Sequence, residues 1–418
     1  MAQKIKTKYG LLEEVRFCTK CVVSNQRPNS AVEHKHTINT KKQTIHIDDE
    51  GVCDACRVAE EKKKINWQKR EQELLKICNK HRKNNGEYDC IVPGSGGKDS
   101  FFAAYILKYK YGMHPLTVTW APHKYTLWGW KNMESWIHAG LDNILFTPNG
   151  RVHRLLTRLG LENIFHPHQP FMIGIKALAP KMAILYKIPL VFFGESEAEY
   201  GNPKDDSKKS EQDWSYFSSP DKSKVFLGGV SVADLMRKYG VSENDLQAYM
   251  PADPKDLGRV GVQVHYLGYY LKWDPREMYN FAVKYGGFQA SPERTAGTYI
   301  NYESIDDKMD DLNWYTAFIK FGIGRATFDV AHALRSKEIT RKQGVKLVKK
   351  YDGEFPKRFE KELWQYLSIN KNEFPKSFKM FKHPKMDRSY FMKLADKFRS
   401  PHLWKKVGNK WQLRYVVN

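Results

Sequence analysis

Cysteine is scarce in this chain and absent from most of it, since the last of its six cysteines is Cys90. No thiol nucleophile for hydrolysing glutamine is therefore present in the carboxyl-terminal half. Position 2, where a glutaminase could carry its cysteine nucleophile, is Ala2. Relay of sulfur through cysteines late in the chain is also excluded. It would need Cys90, which lies within an apolar run, or an external cluster.

Long apolar runs are missing as well. No segment approaches the roughly 20 apolar residues that a membrane-spanning helix needs. The first residues, Met1-Ala2-Gln3-Lys4, contain no apolar segment that could serve as a signal peptide. From these two features we expect a cytoplasmic protein.

Negative charge is in deficit, with 69 Lys and Arg against 47 Asp and Glu and a formal net charge of +22. About half of this excess follows Phe355. Such a cationic stretch could hold RNA, an anionic nucleotide-sugar, an acidic partner or a membrane surface, or it could be a solvated face without a ligand. The 418 residues, 41% of them hydrophobic, are enough for two or three globular domains.

The early cysteines form two pairs, Cys18-Thr19-Lys20-Cys21 and Cys53-Asp54-Ala55-Cys56. Each pair places two thiolates on one tight turn, and two such turns complete a tetrahedral set of soft ligands, which predicts a structural Zn²⁺ site. Two disulfides are the alternative, and a reducing compartment disfavours them. Three nearby histidines could also replace a cysteine as ligand: His34, His36 and His46.

A glycine-rich turn at residues 94–97 organises the rest of the chain. The apolar run Cys90-Ile91-Val92-Pro93 precedes it, and Lys98-Asp99-Ser100 opens an apolar helix. The pattern predicts strand, turn and helix, with free N–H groups and the positive helix end directed at one point, an arrangement that suits phosphate. It is not the common nucleotide-binding loop, because Asp99 follows the lysine where Ser or Thr would stand.

Apolar strands alternate with helices after this turn. Continuous apolar strands separated by helices predict an α/β fold with a parallel sheet covered on both faces. The predicted strands are residues 90–93, 116–120, 143–147 and 190–193, and the predicted helices include residues 127–141, 152–161 and 171–186.

Ligands bind parallel sheets at the carboxyl ends of the strands, and this rule selects further candidates. Thr119 and Trp120 end the second strand and are candidate neighbours of a nucleotide base. Glu195 and Glu199 follow the fourth strand, where carboxylates could hold Mg²⁺, ribose hydroxyls or an amine nucleophile, or could be a solvated acidic turn. Lys320 flanks a glycine later in the chain and could reach a departing pyrophosphate or an acidic sugar, and so could Arg325.

The string Ser95-Gly96-Gly97-Lys98-Asp99-Ser100 resembles the pyrophosphate loop of the ATP-pyrophosphatases, the PP-loop enzymes. Together with other segments it resembles the N-acetyl sugar amidotransferase family of lipopolysaccharide O-antigen and surface-polysaccharide biosynthesis. One departure is Ser196, which stands where the family pattern has Asn. The other segments are the two cysteine pairs, Gly194-Glu195, Tyr200-Gly201, residues 320–327, 339–341 and 351–356.

The resemblance implies an adenine-nucleotide α-hydrolase-like fold and an ATP-dependent, AMP-forming reaction. The acetamido oxygen of an N-acetyl sugar would be adenylated and then replaced by ammonia, which gives an acetamidino sugar. The implied cofactors are ATP, Mg²⁺ and structural Zn²⁺. The implied partner is a separate glutaminase subunit resembling that of imidazole glycerol phosphate synthase, with or without its cyclase-like companion, unless free ammonium suffices.

The implied site places ATP on Gly94, Ser95, Gly96, Gly97, Lys98, Asp99, Ser100, Thr119 and Trp120. The catalytic residues would be Lys98, Asp99, Glu195, Lys320 and Arg325, and Glu199 and Tyr200 would contact the sugar or nucleotide-sugar. The implied domains are a zinc module at 1–60, a linking helix at 61–86, the PP-loop domain at 87–225, a helical substrate region at 226–354 and a basic extension at 355–418.

Two other hypotheses remain open. A tRNA-thiolating PP-loop enzyme shares the loop, often carries zinc knuckles and would use the positive charge, but the late cysteines are missing. A nucleic-acid-binding zinc protein with a vestigial loop would not turn over ATP. We expect nucleic acid to be the less favoured partner.

Overall fold

A computed structural model describes residues 5–194, 202–370, 373–374 and 383–418 of the chain. The structure is α/β, as expected. The strands are Cys90–Pro93 (β1), Pro115–Trp120 (β2), Asp142–Phe146 (β3), Leu190–Phe193 (β4), Phe226–Leu227 (β5), Val230–Ser231 (β6), Gln263–Tyr266 (β7), Trp404–Val407 (β8) and Lys410–Leu413 (β9).

Helices cover both faces of the sheet and form most of the carboxyl-terminal half. Their bounds are Asp54–Glu61 (α1), Trp67–His81 (α2), Lys98–Tyr109 (α3), Leu127–His138 (α4), Gly150–Ile164 (α5), Gln169–Tyr186 (α6), Val232–Tyr239 (α7), Glu243–Leu246 (α8), Pro254–Val260 (α9), Leu267–Tyr270 (α10), Pro275–Gly286 (α11), Asp310–Phe321 (α12), Arg325–Arg335 (α13), Arg341–Tyr351 (α14), Glu360–Leu367 (α15) and Arg388–Phe398 (α16).

The central sheet has five parallel strands in the order β3-β2-β1-β4-β7. The sequence predicted the first four of these strands. It missed β7, whose four residues include the polar Gln263 and His265 and therefore lack a continuous apolar run. The chain adds strands on one side of β1 and then on the other, so the topology switches direction between β1 and β4. Ligands of open parallel sheets bind in the crevice at such a switch.

Alternate side chains of the central strands pack into opposite layers. Ile91 and Val191 join the core under α5 and α6, whereas Val92 and Phe192 join the core under α3 and α11. All four are 0% exposed. Fully burying an apolar side chain of this size contributes about 1.5–3 kcal/mol, so both faces of the sheet are strongly fixed.

The amino-terminal segment with the two cysteine pairs is not isolated from the rest of the chain. Its apolar residues pack against Val330 and Ala331 of α13 and Val348 of α14. Arg341 donates to the backbone oxygen of Cys21 at 3.2 Å. The linking helix predicted at 61–86 corresponds to α2. A separate helix, α1, ends at Glu61, and a short 3₁₀ turn at Lys62–Lys64 lies between α1 and α2.

The basic carboxyl-terminal stretch folds onto α12. Phe391 and Phe398 of α16 are buried in a core that also contains Ile319, and the Trp404 indole donates to the Ile319 carbonyl at 2.9 Å. This stretch is therefore anchored by aromatic side chains while lysines such as Lys405 remain exposed. Within the described ranges, no helix combines the length and the apolar character needed to cross a membrane.

Candidate functional site

The glycine-rich turn connects β1 to α3 in a conformation that needs glycine. Gly96 has φ +82°, and a Cβ there would lie 2.4 Å from the backbone oxygen of Asn132. A Cβ at Gly94 would lie 2.6 Å from the Cβ of Ser100. The Ser100 hydroxyl donates to the Gly97 carbonyl at 3.0 Å, which closes the turn at the start of the helix. The backbone thus approaches α4 closely and presents the helix N-terminus at the carboxyl edge of the sheet.

A cavity of about 390 Å³ opens at this edge, between the turn, the ends of β2 and β4, α6 and an acidic segment. We call it the loop cavity. Its position is the crevice where the sheet topology switches direction. Of the residues predicted from the sequence, the structure brings six to its wall: Gly94, Ser95, Gly97, Asp99, Ser100 and Trp120.

Trp120 reaches the loop cavity because β2 ends there. Its ring packs on Gly174 of α6, where a Cβ would lie 2.2 Å from the indole. The indole Nε1 is buried and makes no hydrogen bond within the described part of the chain. A buried donor of this kind is suited to an acceptor on a ligand.

The acidic segment before and at the start of α12 was not recognised as functional from the sequence. Asp306, Asp307 and Asp310 all line the loop cavity. The Ser95 hydroxyl donates to the Asp306 carboxylate at 3.2 Å, across 211 positions of sequence. The segment is held there because the Thr126 amide donates to the Asp306 carbonyl at 3.0 Å. The available signal was four aspartates within the six residues 306–311.

The three carboxyl groups have different proton affinities. Burial, reinforced by Asp306, raises the pKa of Asp310 to about 7. Burial together with the neighbouring Asp307 also raises the pKa of Asp306. Burial opposes ionisation of Asp307 too, but the adjacent His123 outweighs it and holds the pKa of Asp307 well below its usual range. Clustered carboxyl groups supply the oxygen ligands that Mg²⁺ prefers.

Lys98 lies at the turn, and its ammonium forms ion pairs with two carboxylates. Its Nζ is 2.5 Å from Asp99 Oδ2 and 2.8 Å from Glu303 Oε1. Arg325 is 3.4 Å from the other Glu303 oxygen and 3.0 Å from Asp329. Burial opposes the Glu303 charge, yet the two cations outweigh it and lower the pKa of Glu303. The structure thus joins Lys98 and Arg325, two predicted residues, through a carboxylate that the sequence did not indicate.

A second cavity, of about 300 Å³, lies on the other side of Lys98 and Asp99. We call it the aromatic cavity. Asp99 lines both cavities, so it stands at the wall between them. The aromatic cavity combines ring faces with charged groups: Tyr299, Tyr302, Trp314, Phe328, Arg276, Arg325, Glu303, Asp329 and Glu338.

Two predicted residues lie elsewhere. Thr119 is fully buried, and its hydroxyl donates to Asn143 of β3 at 3.0 Å, because alternate residues of β2 point to opposite faces of the sheet. Lys320 lines neither of the two cavities and donates to the Ile164 carbonyl at 2.8 Å within the core. Its burial lowers the pKa of the ammonium to about 7. The remaining predicted residues, Glu195, Glu199 and Tyr200, lie outside the described residues.

The two cysteine pairs meet in one buried group. Cys18 Sγ is 3.9 Å from Cys56 Sγ, and Cys21 Sγ is 3.6 Å from Cys53 Sγ. All four thiols are free, without a disulfide, and their sulfur atoms lie within 4.8 Å of one another. The Cys53 amide donates to Cys18 Sγ at 3.3 Å, and N–H donors of this kind stabilise thiolates that bind a metal. This cluster could bind zinc, and it would hold the ion in a closed, structural site.

Nearby histidines do not complete that sulfur group. His46 is 69% exposed at its side chain and lies 3.4 Å from Asp54. His36 belongs to a different cluster with Glu33 and His166.

Residues 296–416 match the family model described as "LPS biosynthesis protein WbpG-like, C-terminal domain". This segment contains Glu303, the acidic segment and Arg325, and it extends through the basic carboxyl-terminal stretch. The match supports an LPS biosynthesis family and suggests an enzyme with a role in polysaccharide biosynthesis.

Among curated proteins, the chain is similar to the uncharacterized protein MJ1599 of Methanocaldococcus jannaschii. The two are 37% identical over 83 residues, a stretch that covers 20% of this chain and 29% of that protein. The chain thus spans less than a third of the length of that relative.

Proposed function

We propose that the protein is an ATP-dependent, AMP-forming amidotransferase that converts the acetamido group of an N-acetyl sugar into an acetamidino group for a surface polysaccharide. The observation that carries the proposal is one cavity, at the switch point of a parallel sheet, lined by a phosphate-suited turn and a cluster of carboxyls. The similarity of residues 296–416 to an LPS biosynthesis domain supports the sugar as substrate class.

ATP would occupy the loop cavity. The N–H groups of the turn and the N-terminus of α3 would receive the pyrophosphate portion, with the Ser95 and Ser100 hydroxyls beside it. Asp306 and Asp310 would hold Mg²⁺, which screens the phosphate charge. Trp120 would face the nucleoside, since its indole Nε1 lacks a hydrogen-bond partner in the described structure.

The sugar would occupy the aromatic cavity. Ring faces such as Trp314 and Tyr302 can pack on the apolar face of a pyranose, while Arg276 and Glu338, which are 3.2 Å apart, can bond hydroxyls or an acidic substituent. The two cavities share Asp99 as a wall residue, and in this proposal the acetamido oxygen would attack the α-phosphate across that boundary. Attack of that oxygen releases pyrophosphate and makes AMP the leaving group when ammonia adds to the carbon.

The source of ammonia would be a partner glutaminase. The chain has no cysteine after Cys90 that could act as the nucleophile of its own glutaminase. In this proposal free ammonium would replace the partner in a purified assay.

The test is to incubate the full-length protein with ATP, Mg²⁺ and ammonium against a panel of acetamido sugars and bulk tRNA. AMP and pyrophosphate, formed only with a sugar whose product has NH in place of oxygen, are the expected result. Formation of ADP, or of AMP only with tRNA and a sulfur donor, would reject the amidotransferase proposal, and the second outcome would establish thiolation.

The placement of the sugar has its own test. Trp314→Leu should raise the KM for the sugar several-fold while leaving the KM for ATP close to that of the unmodified protein. Tyr415→Leu, which changes an exposed aromatic residue outside both cavities, is the matched control. Equal effects of Trp314→Leu on both substrates would contradict the assignment of the aromatic cavity to the sugar.

A further inference from the structure

A group of buried imidazoles forms part of the wall of the loop cavity. His168 and Asp307 line the cavity, and the His123 side chain behind them is 0% exposed. The His123 and His168 rings stack with centroids 4.9 Å apart, and the His153 ring lies 4.5 Å from that of His123.

The orientation of the rings leaves nitrogen atoms without partners. His123 Nδ1 is 2.6 Å from Asp307 Oδ2, and His168 Nδ1 is 3.6 Å from Asp310 Oδ1. The Nε2 atoms of both His123 and His168 are buried and make no hydrogen bond in the described ranges. His168 Nε2 is 3.8 Å from Asp307 Oδ2, too long for a hydrogen bond. A buried imidazole nitrogen without a partner needs an explanation, and an ion or a water bound there is one.

One ligand atom from each of His123, His168 and Asp307 lies within 4.8 Å of the other two. Two ligands bound to one ion at about 2.0–2.2 Å each stand roughly 3–4 Å apart, so the three residues need only a small shift to surround an ion. We propose that His123, His168 and Asp307 bind a divalent transition-metal ion at the wall of the loop cavity.

The donor set selects the class of ion. Mg²⁺ prefers oxygen ligands, whereas two imidazoles with one carboxylate suit Zn²⁺, Fe²⁺ or Co²⁺. Three protein ligands leave coordination positions open on an ion at the wall of the cavity that His168 and Asp307 line. An oxygen or nitrogen atom of a bound substrate would take one of them. The site is thus distinct from the closed sulfur cluster, where four thiols fill the coordination sphere.

A neutral imidazole that binds an ion through one ring nitrogen keeps its hydrogen on the other, so the site needs no proton release when His123 coordinates. The unpartnered Nε2 of His123 would be its ligand atom, with Nδ1 still directed at Asp307 Oδ2. Asp310 would act as a positioning residue through its contact with His168, because partners of the second ring nitrogen orient metal-bound histidines.

The experiment uses the full-length protein, depleted of metal with a chelator and titrated with Co²⁺. The sulfur cluster will show intense thiolate charge-transfer absorption. We expect a second Co²⁺ equivalent that gives only the weak d–d bands of nitrogen and oxygen ligation. If the absorption of the unmodified protein stops changing once the thiolate bands are complete, the proposal is overturned. This result needs no variant.

Variants identify the ligands. His168→Ala and Asp307→Asn should lose the second equivalent, and Asp310→Asn should weaken its binding about 10- to 100-fold. His114→Ala is the matched control, because His114 and Asp142 form a similar pair, 3.6 Å apart, at the surface. Each variant must retain the thiolate bands, which report that the chain is folded.

A second histidine and carboxylate group in the chain could compete for the ion. It consists of Glu33, His36 and His166. Loss of the second Co²⁺ equivalent in His36→Ala, with retention in His168→Ala, would overturn the assignment. The inference does not rest on the proposed amidotransferase activity, because the titration requires no turnover.

Discussion

Glu303 Oε1 lies 2.8 Å from the ammonium of Lys98, and this pair joins the phosphate-suited turn to the carboxyl-terminal half of the chain. Lys98 begins α3, whereas Glu303 lies in the segment that precedes α12. Its other oxygen faces Arg325, so one carboxylate compensates two cations. The glycine-rich turn is therefore held in place by residues of the segment that matches the LPS biosynthesis domain.

Substitution Glu303→Gln should destabilise the protein strongly. The buried Lys98 loses one of its two counter-charges, and loss of a partner from a buried ion pair typically costs about 3–5 kcal/mol. Asp99 and Asp329 still compensate Lys98 and Arg325, so the cost should fall toward the lower end of that range. The change is measured as the free energy of unfolding in urea. The control is Glu338→Gln, since Glu338 pairs with Arg276 at the partly exposed rim and its loss should cost about 1 kcal/mol or less. Equal losses of unfolding free energy in the two variants would contradict the prediction that Glu303 stabilises the protein more than Glu338 does.

Gly96→Ala should abolish nucleotide binding and lower stability. Its backbone is left-handed, and the new methyl group would meet the Asn132 carbonyl at 2.4 Å. Gly86 has φ +86° with open space around a Cβ, so Gly86→Ala carries the conformational cost of about 1–2 kcal/mol without a collision. Isothermal titration with ATP and thermal unfolding of both variants separate the two effects. ATP binding by Gly96→Ala at the unmodified affinity would contradict the role assigned to the turn.

Lys320→Met should leave AMP formation intact and change how stability depends on pH. Burial lowers the pKa of Lys320 to about 7, whereas the unfolded side chain titrates near 10.4. Between these values the unfolded chain binds the additional proton, so this lysine makes stability rise as pH rises from about 7 to about 10. Urea unfolding across that range should show the rise in the unmodified protein and a smaller one in Lys320→Met.

The control for that prediction is Lys349→Met, which changes an exposed lysine of α14. It should keep the pH dependence of the unmodified protein. A large loss of AMP formation in Lys320→Met, with stability retained, would instead restore the catalytic role that the sequence suggested for this residue.

Removal of zinc from the sulfur cluster should destabilise the amino-terminal segment and the helices beneath it. Arg341 of α14 donates to backbone oxygens of Cys18 and Cys21, and these contacts depend on the fold of the two cysteine turns. Cys56→Ser should therefore lower both zinc content and melting temperature. Cys78→Ser, which changes a buried cysteine of α2 outside the cluster, should keep the zinc. Full zinc content in Cys56→Ser would refute a four-sulfur site.

How much of the structure could be predicted from the sequence depends on how far apart along the chain the interacting residues lie. The turn, the first four sheet strands and the cysteine pairs are each encoded within a few consecutive residues, so their patterns were visible. Thr119 was predicted from its place near the end of a strand, which does not indicate the face of the sheet that its side chain takes. Its hydroxyl donates to Asn143 of the neighbouring strand, and it does not line the loop cavity. Lys320 was selected because it flanks a glycine. That glycine does not indicate the side of α12 on which the lysine side chain lies.

The sequence by itself determined the α/β class, the glycine-requiring turn and the set of four thiols, because local sterics and ligand spacing dictate them. Only the tertiary structure decided which carboxyls face the turn. Asp306 meets Ser95 across 211 positions of sequence, and Glu303 meets Lys98 over a comparable distance along the chain. Such pairings depend on how the helices dock on the sheet, where burial and charge compensation select the partners, and no short pattern of residues records that docking.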